Sequence, residues 1–175
     1  MSTATNSRSQ LTLFVPPPWG TQLDSFRRIL DPVQASLIAA HVTLCREDEI
    51  AELDPNSIFD RVAEWQLGPV ALDFGLPLRF FGHGVLLPCL NGSDRFQELR
   101  RWLLQDQGAR AHEAHITLAH PRNTRSPENT DATLKACPHG LHLEFPSVAL
   151  IQQEQGSTWA VVRDAALGGT RRSDA

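Results

Sequence analysis

The first clear alternation of apolar and polar residues in the chain is "LTLFV" (11–15), a short strand that "PPPWG" ends. Leu23, Phe26 and Leu30 recur at helical spacing and predict a helix over 21–31, stopped by Asp31-Pro32. Residues 35–44 read as a strand. Asp54-Pro55 has the form of an N-cap followed by proline at the first helical position, and Ile58, Val62 and Trp65 mark that helix's apolar stripe. "PVALDFGLPLRFF" (69–81) returns as a strand, kinked at Gly75 or Pro77.

The second half repeats this order. "GVLLPCL" (84–90) reads as a strand, and Phe96, Leu99 and Leu103 mark a helix from about Ser93 to Gln105. A strand over 114–120 follows, then a helix capped by Ser126-Pro127, then the strands "LHLEFPSVALIQQ" and "TWAVVRD". A shift of 74 positions lays strand 11–15 on 85–89, helix 23–30 on 97–104 and helix 55–66 on 129–140. One offset across three element types points to internal duplication, and 74 residues is long for a solenoid repeat. The expectation is an α+β fold with bilobal pseudo-twofold symmetry: two antiparallel sheets flank a central groove, with helices on the outside. A single bilobal domain is expected over 11–164, with repeat units of roughly 11–81 and 84–155. Residues 1–10 and 165–175 read as polar, disordered tails.

The same offset aligns "HVTL" (41–44) with "HITL" (115–118). Alternate residues of a strand share a face, so His41 and Thr43 project together while Val42 and Leu44 turn to the core; His115 and Thr117 repeat the division. With seven histidines in the chain, two such tetrapeptides arise by chance roughly once in a thousand cases. Two imidazoles and two hydroxyls converging on one groove suit displacement at phosphorus. One histidine can take the nucleophile's proton and the other can protonate the leaving oxygen, while the hydroxyls hold the non-bridging oxygens. Pseudo-symmetry makes the two roles nearly interchangeable; the assignment adopted is His115 activating water and His41 protonating the departing oxygen.

The paired motifs resemble those of the 2H phosphoesterase superfamily, which contains bacterial 2′-5′ RNA ligase-like proteins and RNA 2′,3′-cyclic phosphodiesterases. The resemblance runs over roughly 11–164, from the strand leading into "PPP" to the closing strand pair around Trp159. It implies a bilobal fold with a central groove, His41 and His115 as acid and base, and Thr43 and Thr117 as phosphate binders. Relatives often carry arginine five residues after the second motif's histidine. Here that position is His120, and Arg46 holds the equivalent place after the first motif. Arg46 and Arg122 are therefore the candidate phosphate contacts, although strand parity brings them to the groove only if the strands end or bend before them.

Composition narrows the reading. Apolar residues make up 41% and charged residues 21%, as in an ordinary globular protein. A net charge of −4 argues against a trap for long nucleic acid and favours an RNA 3′-end or a small nucleotide. Arginines collect in 94–125 and acids in 46–64. Cys45, Cys89 and Cys137 are scattered, which predicts neither a disulfide framework nor a metal motif, and no cofactor or metal is expected. The first ten residues lack the apolar core of a secretory signal, so the expectation is a cytoplasmic monomer without membrane contact. Phe14 and Trp159 are candidate platforms for a nucleobase. His112 and His120, at odd offsets from His115, are expected on the opposite face in structural or solvent roles.

These residues favour hydrolysis of an RNA 2′,3′-cyclic phosphate, or a related 2′-linked phosphodiester, to a 2′-phosphate, with 2′-5′ ligation as a companion activity. The alternatives are a non-catalytic module binding RNA ends or nucleotides, and a cyclic phosphodiesterase acting on a small nucleotide such as ADP-ribose cyclic phosphate.

Overall fold

The computed structural model describes residues 7–168. Strand β1 (Ser7–Phe14) leads into helix α1 (Trp19–Leu30), a short helix α2 (Pro32–Leu37) and strand β2 (His41–Cys45). A turn of helix, α3 (Glu47–Ile50), precedes α4 (Pro55–Glu64), β3 (Val70–Phe74) and β4 (Leu78–Phe80). The second half runs β5 (Gly84–Asn91), α5 (Ser93–Leu104), β6 (His115–Ala119), α6 (Asp131–Leu134), β7 (Leu141–Phe145), β8 (Ser147–Glu154) and β9 (Ala160–Ala166). No helix among the described residues is long and apolar enough to cross a membrane.

Two antiparallel sheets form, as the α+β reading expects. One has the order β2-β1-β8-β9, and the other runs β4-β5-β3-β7 with β6 paired to β5. The duplication is visible in the hydrogen-bond register. Phe14 pairs with His41 and Leu13 with Val42 in the first sheet; Pro88 pairs with His115 and Leu87 with Ile116 in the second. Even the register shift falls at matching places, between Leu11 and Thr12 and between Val85 and Leu86.

The sheets are not, however, the two halves of the chain. The strand beside β1 is β8, from the second half, and the strand beside β5 is β3, from the first. The first half thus contributes the β1–β2 pair to one sheet and β3 and β4 to the other, and the second half the β5–β6 pair and β7 to one and β8 and β9 to the other. The exchange ties the lobes together: one hydrophobic cluster runs through both sheets, from Leu11, Val42 and Leu44 to Leu87, Ile116, Leu143 and Phe145. Burying apolar side chains of both halves in a common core makes separate folding of either half unfavourable.

Several boundaries differ from the expectations. Residues 35–37 are helical rather than extended, because Asp31 accepts a hydrogen bond from the Gln34 N–H (2.9 Å) and Pro32 starts α2; the same dipeptide ends one helix and caps the next. Ser126 does not cap a helix. Its hydroxyl donates to the Ile29 carbonyl (2.8 Å), and α6 starts later, capped by Thr130. The strand over 69–81 breaks after Phe74, and the Gly75 N–H carries the ladder on to the Pro88 carbonyl (2.9 Å). β1 begins at Ser7, so 7–10 belong to the sheet, and β9 with the buried Leu167 extends the fold past 164; the remaining tail positions lie outside the described residues.

Candidate active site

β2 and β6 carry the twin motif, and their burial patterns are identical: half-buried histidine, buried Val42 or Ile116, half-buried threonine, buried leucine. Val42, Leu44, Ile116 and Leu118 are fully buried, which locks the strand faces and leaves His41, Thr43, His115 and Thr117 no orientation but the groove. All four line a groove of 990 Å³.

Each histidine is the first residue of its strand, and the chain bends at Ala40 just before His41. His41 Nδ1 lies 2.8 Å from the Ala39 carbonyl and His115 Nδ1 lies 2.9 Å from the Glu113 carbonyl. A carbonyl only accepts, so Nδ1 carries the proton in both rings and Nε2 is left for chemistry. Among the described residues neither threonine hydroxyl has a protein partner, so both remain free to donate.

Two buried arginines hold the motif strands in place. Arg27 of α1, 1% exposed, pairs with Asp24 (2.6 Å) and donates to the carbonyls of Ile38 (2.8 Å) and Thr117 (3.2 Å). Asp24 in turn accepts from the Ala40 N–H (2.8 Å), which fixes the turn before His41. Arg100 of α5, also 1% exposed, pairs with Glu49 (2.6 Å) and donates to the carbonyls of Leu44 and Arg110. Burial is the largest single influence and would raise the Glu49 pKa, but the Arg100 hydrogen bond and charge, with the Arg46 backbone N–H, together hold the carboxylate below its usual range. Thus each helix reaches the backbone of both motif segments, one pinning Thr117 and Ile38 and the other Leu44 and Arg110.

Three imidazoles of the groove, those of His41, His112 and His120, have depressed pKa values. Removal from water pulls His41 down to about 4, helped by the positive charges of Arg27 and His115 and opposed by the Ala39 hydrogen bond. Burial likewise takes His112 to about 4, with Arg100 and His115 adding to the effect. His120 is lowered by burial and then by Arg122, against the pull of Asp31. Between the folded values near 4 and an unfolded value near 6.5, the unfolded chain binds protons that the native chain does not. Stability from His41 and His112 is therefore complete above about pH 6.5 and is lost as pH falls toward 4. Denaturant titrations at pH 7 and pH 5 are expected to differ by about 2 kcal/mol for each of the two groups, and His112→Phe to remove one share.

The other candidate residues are distributed unevenly. Trp159, Arg46 and Arg122 line the groove. Phe14 is not among its lining residues; its ring meets His41 edge-on (centroids 6.3 Å apart) and packs with Ile38, Ala149, Ile151 and Trp159 in a small second cluster. His112 and His120 reach the groove, contrary to the parity argument. The reason is that β6 spans only His115–Ala119 and β2 stops at Cys45, so alternation does not extend to positions 112, 120 or 46. Sequence reasoning misses Asp24, Arg27, Glu49 and Arg100. The signal for the two arginines is a charged residue inside an apolar stripe: Arg27 between Leu23 and Leu30, and Arg100 between Phe96 and Leu103.

At the level of sequence, no family profile and no curated protein matches the chain. Solved structures do. E. coli LigT complexed with 3′-AMP aligns at TM-score 0.61 and 16% identity, over 92% of this chain and 98% of that one. A crystal structure described as a phosphoesterase aligns at 0.59 and 14% identity, over 92% and 98%. TT0787 of Thermus thermophilus aligns at 0.56 and 15% identity, over 93% and 98%. Identities this low speak for architecture alone, and coverage of both partners is nearly complete: the chain has the LigT-like fold from end to end of its described residues.

Proposed function

We propose that this chain is a 2H phosphoesterase that opens RNA 2′,3′-cyclic phosphates by two-histidine acid–base catalysis, releasing a 2′-phosphate. The observation that carries the reading is the pairing of two imidazoles, each presenting Nε2, with two threonine hydroxyls that have no partner among the described residues, all on one groove. Water attacks phosphorus as the bond to O3′ breaks in line with it. One imidazole takes the water's proton and the other delivers a proton to O3′. Thr43 and Thr117 donate to the non-bridging oxygens, where charge accumulates in the transition state. Burial leaves His41 unprotonated at neutral pH before substrate binds, and a bound phosphate anion reverses part of that shift by favouring imidazolium. A 5′-hydroxyl entering in place of water joins two RNA ends through a 2′-5′ linkage. Arg46 and Arg122 serve as further phosphate contacts at the groove wall.

The test is incubation of the purified protein with a 2′,3′-cyclic nucleotide and with a cyclic-ended oligonucleotide, in EDTA, followed by product analysis. A nucleoside 2′-phosphate is the expected product. No turnover of either compound, with tight binding retained in a double histidine variant, would identify a non-catalytic nucleotide-binding module instead. Thr43→Val and Thr117→Val preserve shape and remove one donor each. Each is expected to lower kcat by about 10²-fold while the melting temperature stays within a few degrees of wild type.

A further inference from the structure

The groove holds a third imidazole that the reaction above does not use. His112 lies in the segment that leads into β6, and its ring centroid is 5.9 Å from that of His115. Helix α5 fixes this segment from one side. The Gln97 side-chain amide donates to the His112 carbonyl, its oxygen accepts from the His112 N–H (3.5 Å), and Arg100 holds the Arg110 carbonyl (2.9 Å). The ring lies against the buried Phe96, with centroids 6.3 Å apart and planes tilted by 34°. The offset that pairs His41 with His115 sets Ile38 in the matching place, so the first half has no counterpart of this ring.

The two nitrogens of the ring are not equivalent. Nε2 is buried and has no hydrogen-bond partner among the described residues. Burial, reinforced by Arg100, His115 and Arg46 and opposed by Glu49, keeps the ring unprotonated at neutral pH, so it carries a single N–H. A buried N–H without an acceptor is the costlier orphan. That places the proton on Nδ1 and leaves Nε2 as a buried lone pair.

We propose, resting on the phosphodiesterase reading above, that His112 is a further catalytic residue whose Nδ1–H donates to a non-bridging oxygen of the substrate phosphate beside His115. Two rings at this separation reach neighbouring oxygens of one phosphate through bonds of about 2.8 Å. The donor is neutral and held by α5 before substrate arrives. Its bond therefore strengthens as charge builds on that oxygen, and it takes no part in proton transfer. Thr43, Thr117 and His112 then supply three donors to two non-bridging oxygens.

Three variants separate the nitrogens. His112→Phe keeps a ring against Phe96 and removes both; His112→Asn keeps an N–H near the place of Nδ1; His112→Gln carries its amide toward the buried place of Nε2. Each is read by calorimetry with a nucleoside 2′-monophosphate, by kcat for a 2′,3′-cyclic nucleotide, and by a thermal melt. His112→Phe is expected to weaken nucleotide binding about 10-fold and to lower kcat about 10²-fold. His112→Asn is expected to keep most of both, and His112→Gln to match His112→Phe. Wild-type affinity in His112→Phe, a His112→Asn protein as impaired as His112→Phe, or losses that track the melting temperature across the three variants would overturn the proposal. A wild type that binds the nucleotide without turning over the cyclic ester counts against the phosphodiesterase reading alone, and the affinities still decide the role of His112. A wild type that does not bind the nucleotide overturns both.

Discussion

His41→Ala and His115→Ala are each expected to lower kcat for a 2′,3′-cyclic nucleotide by about 10³-fold, and the double variant to be little worse than either single one. Attack and departure at phosphorus take place on opposite sides of the same atom, so a lone imidazole leaves one proton transfer to bulk water. The loss should fall on kcat rather than on folding. Each ring is only half-buried, and its one intramolecular bond runs to a carbonyl two residues away. His115→Asn sharpens the point, because the asparagine amide can still donate to the Glu113 carbonyl but cannot exchange a proton near neutral pH. It is expected to be as inactive as His115→Ala. Steady-state kinetics with thermal melts on the same preparations read both quantities.

The second large effect is on stability. Arg100→Leu removes the guanidinium that satisfies Glu49 and the carbonyls of Leu44 and Arg110 in a place where the arginine is 1% exposed. Glu49 then keeps only the Arg46 backbone N–H (2.8 Å), with its side chain 13% exposed. Breaking a buried pair from one side typically costs about 3–5 kcal/mol, since the abandoned charge stays buried. For a chain of this length that corresponds to a fall of roughly 10 °C in Tm. Arg100→Leu/Glu49→Leu, which removes both charges, is expected to recover much of the loss. Activity in Arg100→Leu should also fall below the melting range, because the Leu44 carbonyl and the Arg110 segment flank the motif strands.

The convergence of two histidines and two threonines on one groove is legible in the sequence because it is local and repeated. Strand parity within His41–Leu44 and His115–Leu118 needs only alternation, and the constant offset exposes the duplication. Parity fails at Arg46, His112 and His120 because it holds only while the strand lasts, and both strands are five residues long. The apolar run "SLIAA" reads equally as buried strand or short helix, and the Asp31 side chain decides for helix over 32–37. The exchange of β3 and β8 between sheets has no local signature, since strand partners are chosen by the common core and not by the strand's own sequence. Arg27 and Arg100 fall on apolar helix faces, where their carbonyl acceptors come from segments 10 to 90 residues away.

The most direct test of the account is a crystal structure with a nucleoside 2′-monophosphate bound. The prediction is one phosphate whose oxygens lie within hydrogen-bond distance of Nε2 of both His41 and His115, with the hydroxyls of Thr43 and Thr117 donating to it. A phosphate that touches a single imidazole, or that binds outside the groove, would contradict the claim that the two histidines serve one phosphorus atom.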